Sequence, residues 1–310
     1  MQKALKVVLR ELSKGQIKVQ VSRRLADLKR LDPTRIFVKK LDDNIYNGDH
    51  KIPVRLYFPS QKTMEEGAKK AHTYPILLFF HGGGWVTERG GNYDRVCSEL
   101  SQSSGHIVVS VEYRLAPEHR FPTALMDCYE AAKAVYANRF LLNVDEENIT
   151  IIGDSAGGNL AAAVTLLARD RKEFYPKKQI LIYPVLNNDY TETSAYPSVK
   201  ENGTDYFLTS AKMEDYLNLY QRDVSDRQNK YFAPMLEENL KGLPETLILT
   251  AEYDPLRDEG EHFARRMKEA GNKVELHRIK GALHGYFALG FKHLYVRESL
   301  EFINRFLEEA

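Results

Sequence analysis

Short, uninterrupted apolar runs rich in β-branched residues recur along this sequence, and each is too short to be a helix. They occupy residues 75–80, 107–113, 149–152, 179–183 and 246–250. Runs of this kind are typical of strands that are covered on both faces, as in a parallel sheet. Stretches with helical spacing separate them, at residues 93–101, 124–138, 159–170 and 259–270. The alternation predicts an α/β fold with a mostly parallel, doubly wound sheet.

Residues 187–243 interrupt this alternation with a polar, tyrosine-rich stretch. The stretch is too long for an ordinary connection, which favours a lid or an insertion. Residues 1–40 carry a narrow apolar stripe at helical spacing, which includes Leu25, Leu28 and Leu31. The 310 residues are enough for a single domain over 1–310 that carries a cap. We expect about residues 1–40 and part of 187–243 to cap the carboxyl ends of the strands, where open α/β sheets bind ligands.

The elements before residue 75 are less regular. Residues 35–41 and 51–58 are strand candidates, because turn-forming residues at 42–44 and 47–49 lie between them. Residues 61–72 are polar and predict a loop.

The charge of the chain is nearly balanced. There are 44 basic and 43 acidic residues, for a formal net charge of +1. This balance predicts neither nucleic acid nor an anionic membrane as a partner, and favours a small, weakly charged molecule. No stretch approaches the roughly 18 apolar residues of a membrane span, and no signal-peptide core is present, so we expect a cytoplasmic protein. Cys97 and Cys128 lack CxxC spacing and are interpreted as reduced thiols, with a disulfide as the alternative.

The sharpest chemical signal is the sequence GDSAG at residues 153–157, a GxSxG pattern between a predicted strand and a predicted helix. In that position the glycines permit a tight turn that exposes the hydroxyl of Ser155 at the head of a helix. The helix N-terminus favours negative charge nearby, as on a developing alkoxide. Ser155 is therefore the candidate nucleophile. The alternative is a glycine-rich turn in which Ser155 only caps the helix.

A second signal is HGGGW at residues 81–85, directly after the strand predicted at 75–80. Consecutive glycines let the backbone approach a ligand closely and direct amide groups at it. Such amides stabilise the oxyanion of acyl transfer. The alternative is a phosphate-binding loop, but neither GxGxxG nor GxxxxGK[ST] is present. His81 is interpreted as a structural hydrogen-bonding residue.

A serine nucleophile needs a basic histidine and a carboxylate that orients it, and in α/β-hydrolases the acid precedes the histidine. The last predicted strand covers residues 273–279, and His284 lies in the predicted loop after it. His284 is the candidate base. Asp254 follows the strand at 246–250 and is the candidate acid. Asp258 is the second choice, interpreted as the cap of the next helix. The other histidines after Ser155 are interpreted as surface or packing residues: His262 and His293 in helices and His277 in a strand.

Five segments together resemble the hormone-sensitive-lipase-like family of microbial carboxylesterases. They are HGGGW from His81, YRLAPEH from Tyr113, GDSAGG from Gly153, DPLRDE from Asp254 and HGY from His284. The resemblance runs from about residue 75 to the end of the chain. It implies an α/β-hydrolase fold, oxyanion donors at the amides of Gly83, Gly84 and Ala156, and a cap from the segments named above. Tyr286 is a small departure, because the family usually has phenylalanine there.

Together these signals predict a serine carboxylesterase that acts on short- to medium-chain acyl esters, with no metal and no cofactor. A non-catalytic receptor on the same fold would be expected to lack a triad member. A lipase would need an apolar lid, which the charged residues 187–243 do not resemble. An amidase uses the same triad and stays open. We also leave the oligomeric state open, with a homodimer as one alternative.

Overall fold

A computed structural model gives the structure for residues 19–20, 22–23, 39–47, 50–68, 73–88, 90–137, 143–144, 146–289 and 293–308. Within these residues the strands are β1 Lys40–Asn47, β2 His50–Tyr57, β3 Ile76–Phe80, β4 Ile107–Val111, β5 Ile149–Asp154, β6 Lys178–Ile182, β7 Glu245–Tyr253 and β8 Val274–Leu283. They form a sheet in the order β1-β2-β4-β3-β5-β6-β7-β8. β2 is antiparallel to both β1 and β4, and the other neighbouring strands are parallel.

Helices cover both faces of this sheet, as continuous apolar strands require. The helices in the described residues are α1 Gln61–Ala68, α2 Asp94–Ser104, α3 Thr123–Tyr136, α4 Ala156–Arg171, α5 Pro197–Asn202, α6 Ser210–Tyr220, α7 Arg257–Glu269 and α8 Leu294–Glu308. Alternate residues of β3 enter opposite cores, with Leu78 and Phe80 in one and Leu77 and Phe79 in the other. The predicted α/β fold with a mostly parallel sheet is confirmed.

The first strand differs from its prediction. β1 begins at Lys40 rather than at residue 35, and residues 35–38 lie outside the described part of the chain. Residues 42–44 were predicted as a turn, but they lie inside β1. The carboxylate of Asp42 accepts a hydrogen bond of 2.9 Å from Arg55 Nη2 on β2. This cross-strand ion pair favours an acidic residue in an edge strand.

The loop predicted at residues 61–72 is also wrong in part, because residues 61–68 form α1. The hydroxyl of Ser60 accepts a hydrogen bond of 3.0 Å from the amide of Thr63, which caps the start of this helix. Met64 is its apolar contact with the core. A helix this short with one such contact produces no clear helical period in the sequence.

The long connection between β6 and β7 contains α5 and α6 and joins two neighbouring parallel strands. Most of residues 1–40, including Leu25, Leu28 and Leu31, lie outside the described residues. Arg23 is described, and its guanidinium donates to the carbonyl oxygens of Val86 and Ala116 and to the carboxylate of Glu118. This part of the N-terminal segment therefore contacts the chain that follows the HGGGW sequence.

Both cysteines are free and buried, Cys97 in α2 and Cys128 in α3. The interpretation as reduced thiols is therefore confirmed, and the alternative of a disulfide is wrong. Burial raises the pKa of both thiols well above the ordinary range.

Candidate active site

Ser155 lies in the turn that joins β5 to α4. Its backbone has φ 55° and ψ −117°, a conformation that is costly for a residue with a side chain. A Cβ atom on Gly153 would overlap the carbonyl oxygen of Gly157, and one on Gly157 would overlap that of Phe80. Both flanking positions therefore require glycine. The side chain of Ser155 makes no capping hydrogen bond to α4, so the alternative of a simple capping serine is wrong.

The structure brings Ser155, His284 and Asp254 together. Ser155 Oγ lies 2.8 Å from His284 Nε2, and His284 Nδ1 lies 2.7 Å from Asp254 Oδ2. A carboxylate only accepts, so Nδ1 carries the proton and Nε2 can accept from the serine hydroxyl. Ser155 and His284 are each 9% exposed, whereas Asp254 is fully buried. Ser155 directly follows β5, Asp254 follows β7 and His284 follows β8, so three separate connections bring these side chains together.

Asp254 is held in place from two directions. Its Oδ1 accepts a hydrogen bond of 2.9 Å from the amide of Leu256, which leaves Oδ2 for the histidine. Its carbonyl oxygen accepts from Asn202 Nδ2 at 3.2 Å, which links it to α5. Asn202 thus ties the connection between β6 and β7 to the loop that carries the candidate acid.

Asp258 does not contact the imidazole, and it does not cap the helix as predicted. α7 begins at Arg257 after Leu256, so Asp258 lies inside the first turn. Its carboxylate accepts from the amide of Ser198 at 2.8 Å and from Arg257 Nε at 2.8 Å. Burial raises the pKa of Asp258, but these hydrogen bonds outweigh it and the net pKa is lowered.

The HGGGW loop leaves β3 beside the candidate nucleophile, because β3 and β5 are neighbours and Phe80 pairs with Gly153. Gly83 and Gly84 have φ of 106° and 60°, which favour glycine. The carbonyl oxygen of Gly83 accepts from the amide of Val86 and is thereby turned into the loop. Within the described residues, the amides of Gly83, Gly84 and Ala156 donate to no protein acceptor.

His81 is buried and lies against Tyr113, with ring centroids 4.2 Å apart. Its Nδ1 is 2.9 Å from the carbonyl oxygen of Gly82 and is assigned as the donor. Burial lowers the pKa of His81, so the ring is neutral near pH 7. These contacts fit the interpretation of His81 as a structural residue.

The remaining histidines after Ser155 contact other parts of the molecule. His262 lies in α7 with Nδ1 3.0 Å from the hydroxyl oxygen of Tyr196, and His277 lies in β8 against the ring of Phe302. His293 precedes α8, whereas the sequence placed it inside the helix.

Two neighbours of the site were not assigned a role there from the sequence. Tyr216 on α6 lies directly against the backbone of Gly84, where its ring would overlap any added Cβ atom. Glu259 on α7 accepts hydrogen bonds from the amide of Leu186 at 2.7 Å and the hydroxyl of Tyr190 at 2.8 Å. Burial raises the pKa of Glu259 to about 8, so this carboxyl group is mostly neutral at pH 7.

Among the residues that the structure describes, no group of three or more histidine, cysteine or acidic side chains could hold a metal ion. The helices in the same residues are all too short or too polar to cross a bilayer.

Comparison with known proteins places the chain in a family. A family model for the α/β hydrolase fold matches residues 77–288. An arylesterase of Saccharolobus solfataricus is 36% identical over 275 residues, which are 87% of this chain and 83% of that protein. An ethyl acetate hydrolase of Pseudomonas putida is 36% identical over 243 residues, 78% of this chain and 73% of that protein. The solved structure of an esterase from Pyrobaculum calidifontis superposes with a TM-score of 0.85 at 35% identity and covers 97% of each chain.

The chain belongs to the α/β-hydrolase family, among the hormone-sensitive-lipase-like microbial carboxylesterases, and it is a carboxylic ester hydrolase. The resemblance drawn from the sequence motifs is thus confirmed.

Proposed function

We propose that Ser155, His284 and Asp254 form a catalytic triad, and that the enzyme hydrolyses short- to medium-chain acyl esters through an acyl-enzyme. The observation that carries this proposal is the line of two contacts, 2.8 Å and 2.7 Å long, that joins the three side chains. The strained backbone of Ser155 at the head of α4 supports its role as nucleophile.

The reaction then follows from the positions of the protons. His284 Nε2 takes the proton of Ser155 as the hydroxyl oxygen attacks the ester carbonyl carbon. The same proton passes to the leaving alcohol when the tetrahedral intermediate collapses to the acyl-enzyme. Water attacks next, with His284 again as the base, and releases the acid. Asp254 holds the tautomer and stabilises the imidazolium. These steps use neither a metal nor a cofactor.

The oxyanion formed in each step needs donors that are already in place. We assign this role to the amides of Gly83, Gly84 and Ala156, which have no protein acceptor in the described residues. Each donor of this kind contributes on the order of 3 kcal/mol to transition-state stabilisation. Ala156 is the first residue of α4, so the positive end of the helix dipole adds to the effect.

We further propose that the connection between β6 and β7 forms part of a cap over the site. Tyr216 on α6 lies on Gly84, and Asn202 on α5 bonds to the backbone of Asp254. The N-terminal segment contributes to the same proposed cap. This is supported by Arg23, which donates to the carbonyl oxygens of Val86 and Ala116 after the HGGGW loop. The cytoplasmic location and the homodimer remain predictions from the sequence.

We expect the enzyme to hydrolyse acetyl to hexanoyl esters in preference to palmitoyl esters. The tyrosine-rich connection that contributes Tyr216 supports a closed pocket, and one poorly fitting methylene costs about 1–3 kcal/mol. The relative from Pseudomonas putida is named an ethyl acetate hydrolase, and ethyl acetate carries an acetyl group. The measurement is kcat/KM across a series of p-nitrophenyl esters. Faster hydrolysis of emulsified long-chain triglyceride than of a soluble butyrate ester would contradict this prediction.

The main experiment for the proposed function compares p-nitrophenyl esters with nitroanilides of the same acyl groups. An esterase should hydrolyse the ester of each pair, with the anilide much slower, because an amine is the poorer leaving group. A higher rate on the anilides would show an amidase, which uses the same triad. No turnover of either series by the folded protein would favour a receptor on this fold.

A further inference from the structure

Asp154 is a buried carboxylate that directly precedes Ser155, and no step above uses it. Its Oδ1 accepts a hydrogen bond of 2.8 Å from the amide of Gly82, at the start of the HGGGW loop, which is called the oxyanion loop below. Its Oδ2 accepts one of 2.9 Å from the hydroxyl of Tyr93. The same tyrosine hydroxyl lies 3.2 Å from the Gly82 amide. One side chain thus fixes the point where the oxyanion loop leaves β3.

Tyr183 connects the same carboxylate to the other half of the site. Its hydroxyl donates to Asp154 Oδ2 at 3.3 Å and accepts from the amide of Phe287 at 3.1 Å. Phe287 lies in the short helical turn that follows His284. The ring of Tyr183 packs beside the imidazole of His284, with centroids 4.8 Å apart. The backbone of Tyr183 has φ 35°, an uncommon value for a residue with a side chain.

The charge around Asp154 is set by few groups. The titratable side chains that interact with it are Tyr93, Cys97, Tyr113, Tyr183, Tyr286 and His284. Burial raises the pKa of each of these tyrosines and of Cys97, so they stay neutral near pH 7. Burial raises the pKa of Asp154 to about 6, opposed by hydrogen bonds from Tyr93 and Gly82 and by the charge of His284. Above that pH Asp154 is an anion near the imidazole.

We propose that Asp154 is a positioning residue of the esterase reaction, which holds the oxyanion loop through Gly82 and the histidine loop through Tyr183. Its negative charge adds to that of Asp254 in stabilising the imidazolium that forms at His284. A single buried carboxylate therefore couples the two parts of the site that must act on the same tetrahedral intermediate. This inference rests on the proposed function of the triad.

The test is Asp154→Asn, which keeps the size of the side chain and an oxygen for the Gly82 amide but removes the charge. We expect kcat to fall by about tenfold to a hundredfold, with KM little changed. Losses of this size are known when the hydrogen-bond partner that orients a metal ligand is removed. Removing a negative charge disfavours the protonated, inactive imidazolium. The acid limb of the kcat/KM profile should therefore move to lower pH.

Asp127→Asn is the matched control. Asp127 is also a buried carboxylate that accepts from a backbone amide, that of Arg114 at 3.0 Å, but it has no contact with the triad. Its substitution should lower the thermal midpoint and leave the acid limb in place. A second variant, Tyr183→Phe, removes only the bridge to the histidine loop and keeps the charge. It should lower kcat less than Asp154→Asn does, without moving the acid limb.

The outcomes separate the parts of the proposal. An unchanged kcat and acid limb in folded Asp154→Asn would overturn it, and an equal shift of the limb in Asp127→Asn would do the same. A wild-type kcat in Tyr183→Phe would overturn the bridge to the histidine loop. These results bear only on Asp154 if Ser155→Ala is inactive. If Ser155→Ala is active, it is the proposed triad that fails.

Discussion

Replacing Ser155 with alanine is expected to lower kcat for p-nitrophenyl butyrate by about 10⁴-fold or more. The substitution removes the one oxygen that lies 2.8 Å from His284 Nε2. The fold should be retained, because the side chain of Ser155 makes no capping bond and alanine fits the same turn. The measurement is steady-state turnover beside the thermal midpoint of the purified variant.

A residual rate well above the uncatalysed reaction is consistent with this prediction, because the proposed oxyanion donors and substrate binding remain. Rapid release of nitrophenol in the wild type, in an amount equal to the enzyme present, would add evidence for the acyl-enzyme. Near-normal turnover in folded Ser155→Ala would show that another residue is the nucleophile.

Asp254→Asn should lower kcat by roughly 10⁴-fold with little change in KM, the size of loss known for the equivalent change in serine proteases. The new amide can still accept from Leu256 at one end, where Asp254 Oδ1 now accepts at 2.9 Å. At the other end it would present an N–H group to His284 Nδ1. The imidazole would then carry its proton on Nε2, where it cannot accept the proton of Ser155.

Asp258→Asn is the matched comparison, because the same change is made four residues further along. Asparagine can still accept from the amide of Ser198, and only the ion pair with Arg257 is lost. Arg257 keeps a second partner in Glu201 at 2.8 Å. We expect a loss of about 1 kcal/mol or less in stability and nearly full activity. Full activity in Asp254→Asn together with an inactive Asp258→Asn would make Asp258 the third member of the triad.

The sequence predicted the sheet and the three contacting side chains well, for a physical reason. Strands buried on both faces leave continuous apolar runs, as at β3 and β5. The strand-to-helix turn around Ser155 admits only glycine at positions 153 and 157. The apolar runs and the contact between positions 153 and 157 arise within a few residues of the chain, and they are therefore visible in the sequence itself. The further contact of position 157 with Phe80 on the neighbouring strand β3 arises only in the folded chain.

What the sequence did not predict depends on contacts between distant segments. Asp42 in β1 was assigned to a turn because its partner, Arg55, lies on another strand. Asp258 was interpreted as a helix cap because the helix was predicted to begin at residue 259, two residues after its actual start. Its hydrogen-bond partner Ser198 lies sixty residues earlier in the chain, and the sequence does not indicate this contact. The contact of Tyr216 with Gly84 also requires the folded chain, since nothing in the composition of residues 187–243 indicates which tyrosine reaches the site.

The burial of Cys97 and Cys128 has a practical consequence for measuring how the protein opens. A thiolate is the reactive form of cysteine, and both side chains are fully buried with a raised pKa. A thiol-reactive label can therefore reach them only when α2 or α3 separates from the sheet. Because the two cysteines lie on different helices, peptide-resolved labelling can compare the opening of the two regions in the unmodified protein. The rate of modification then reports conformational opening without any introduced probe.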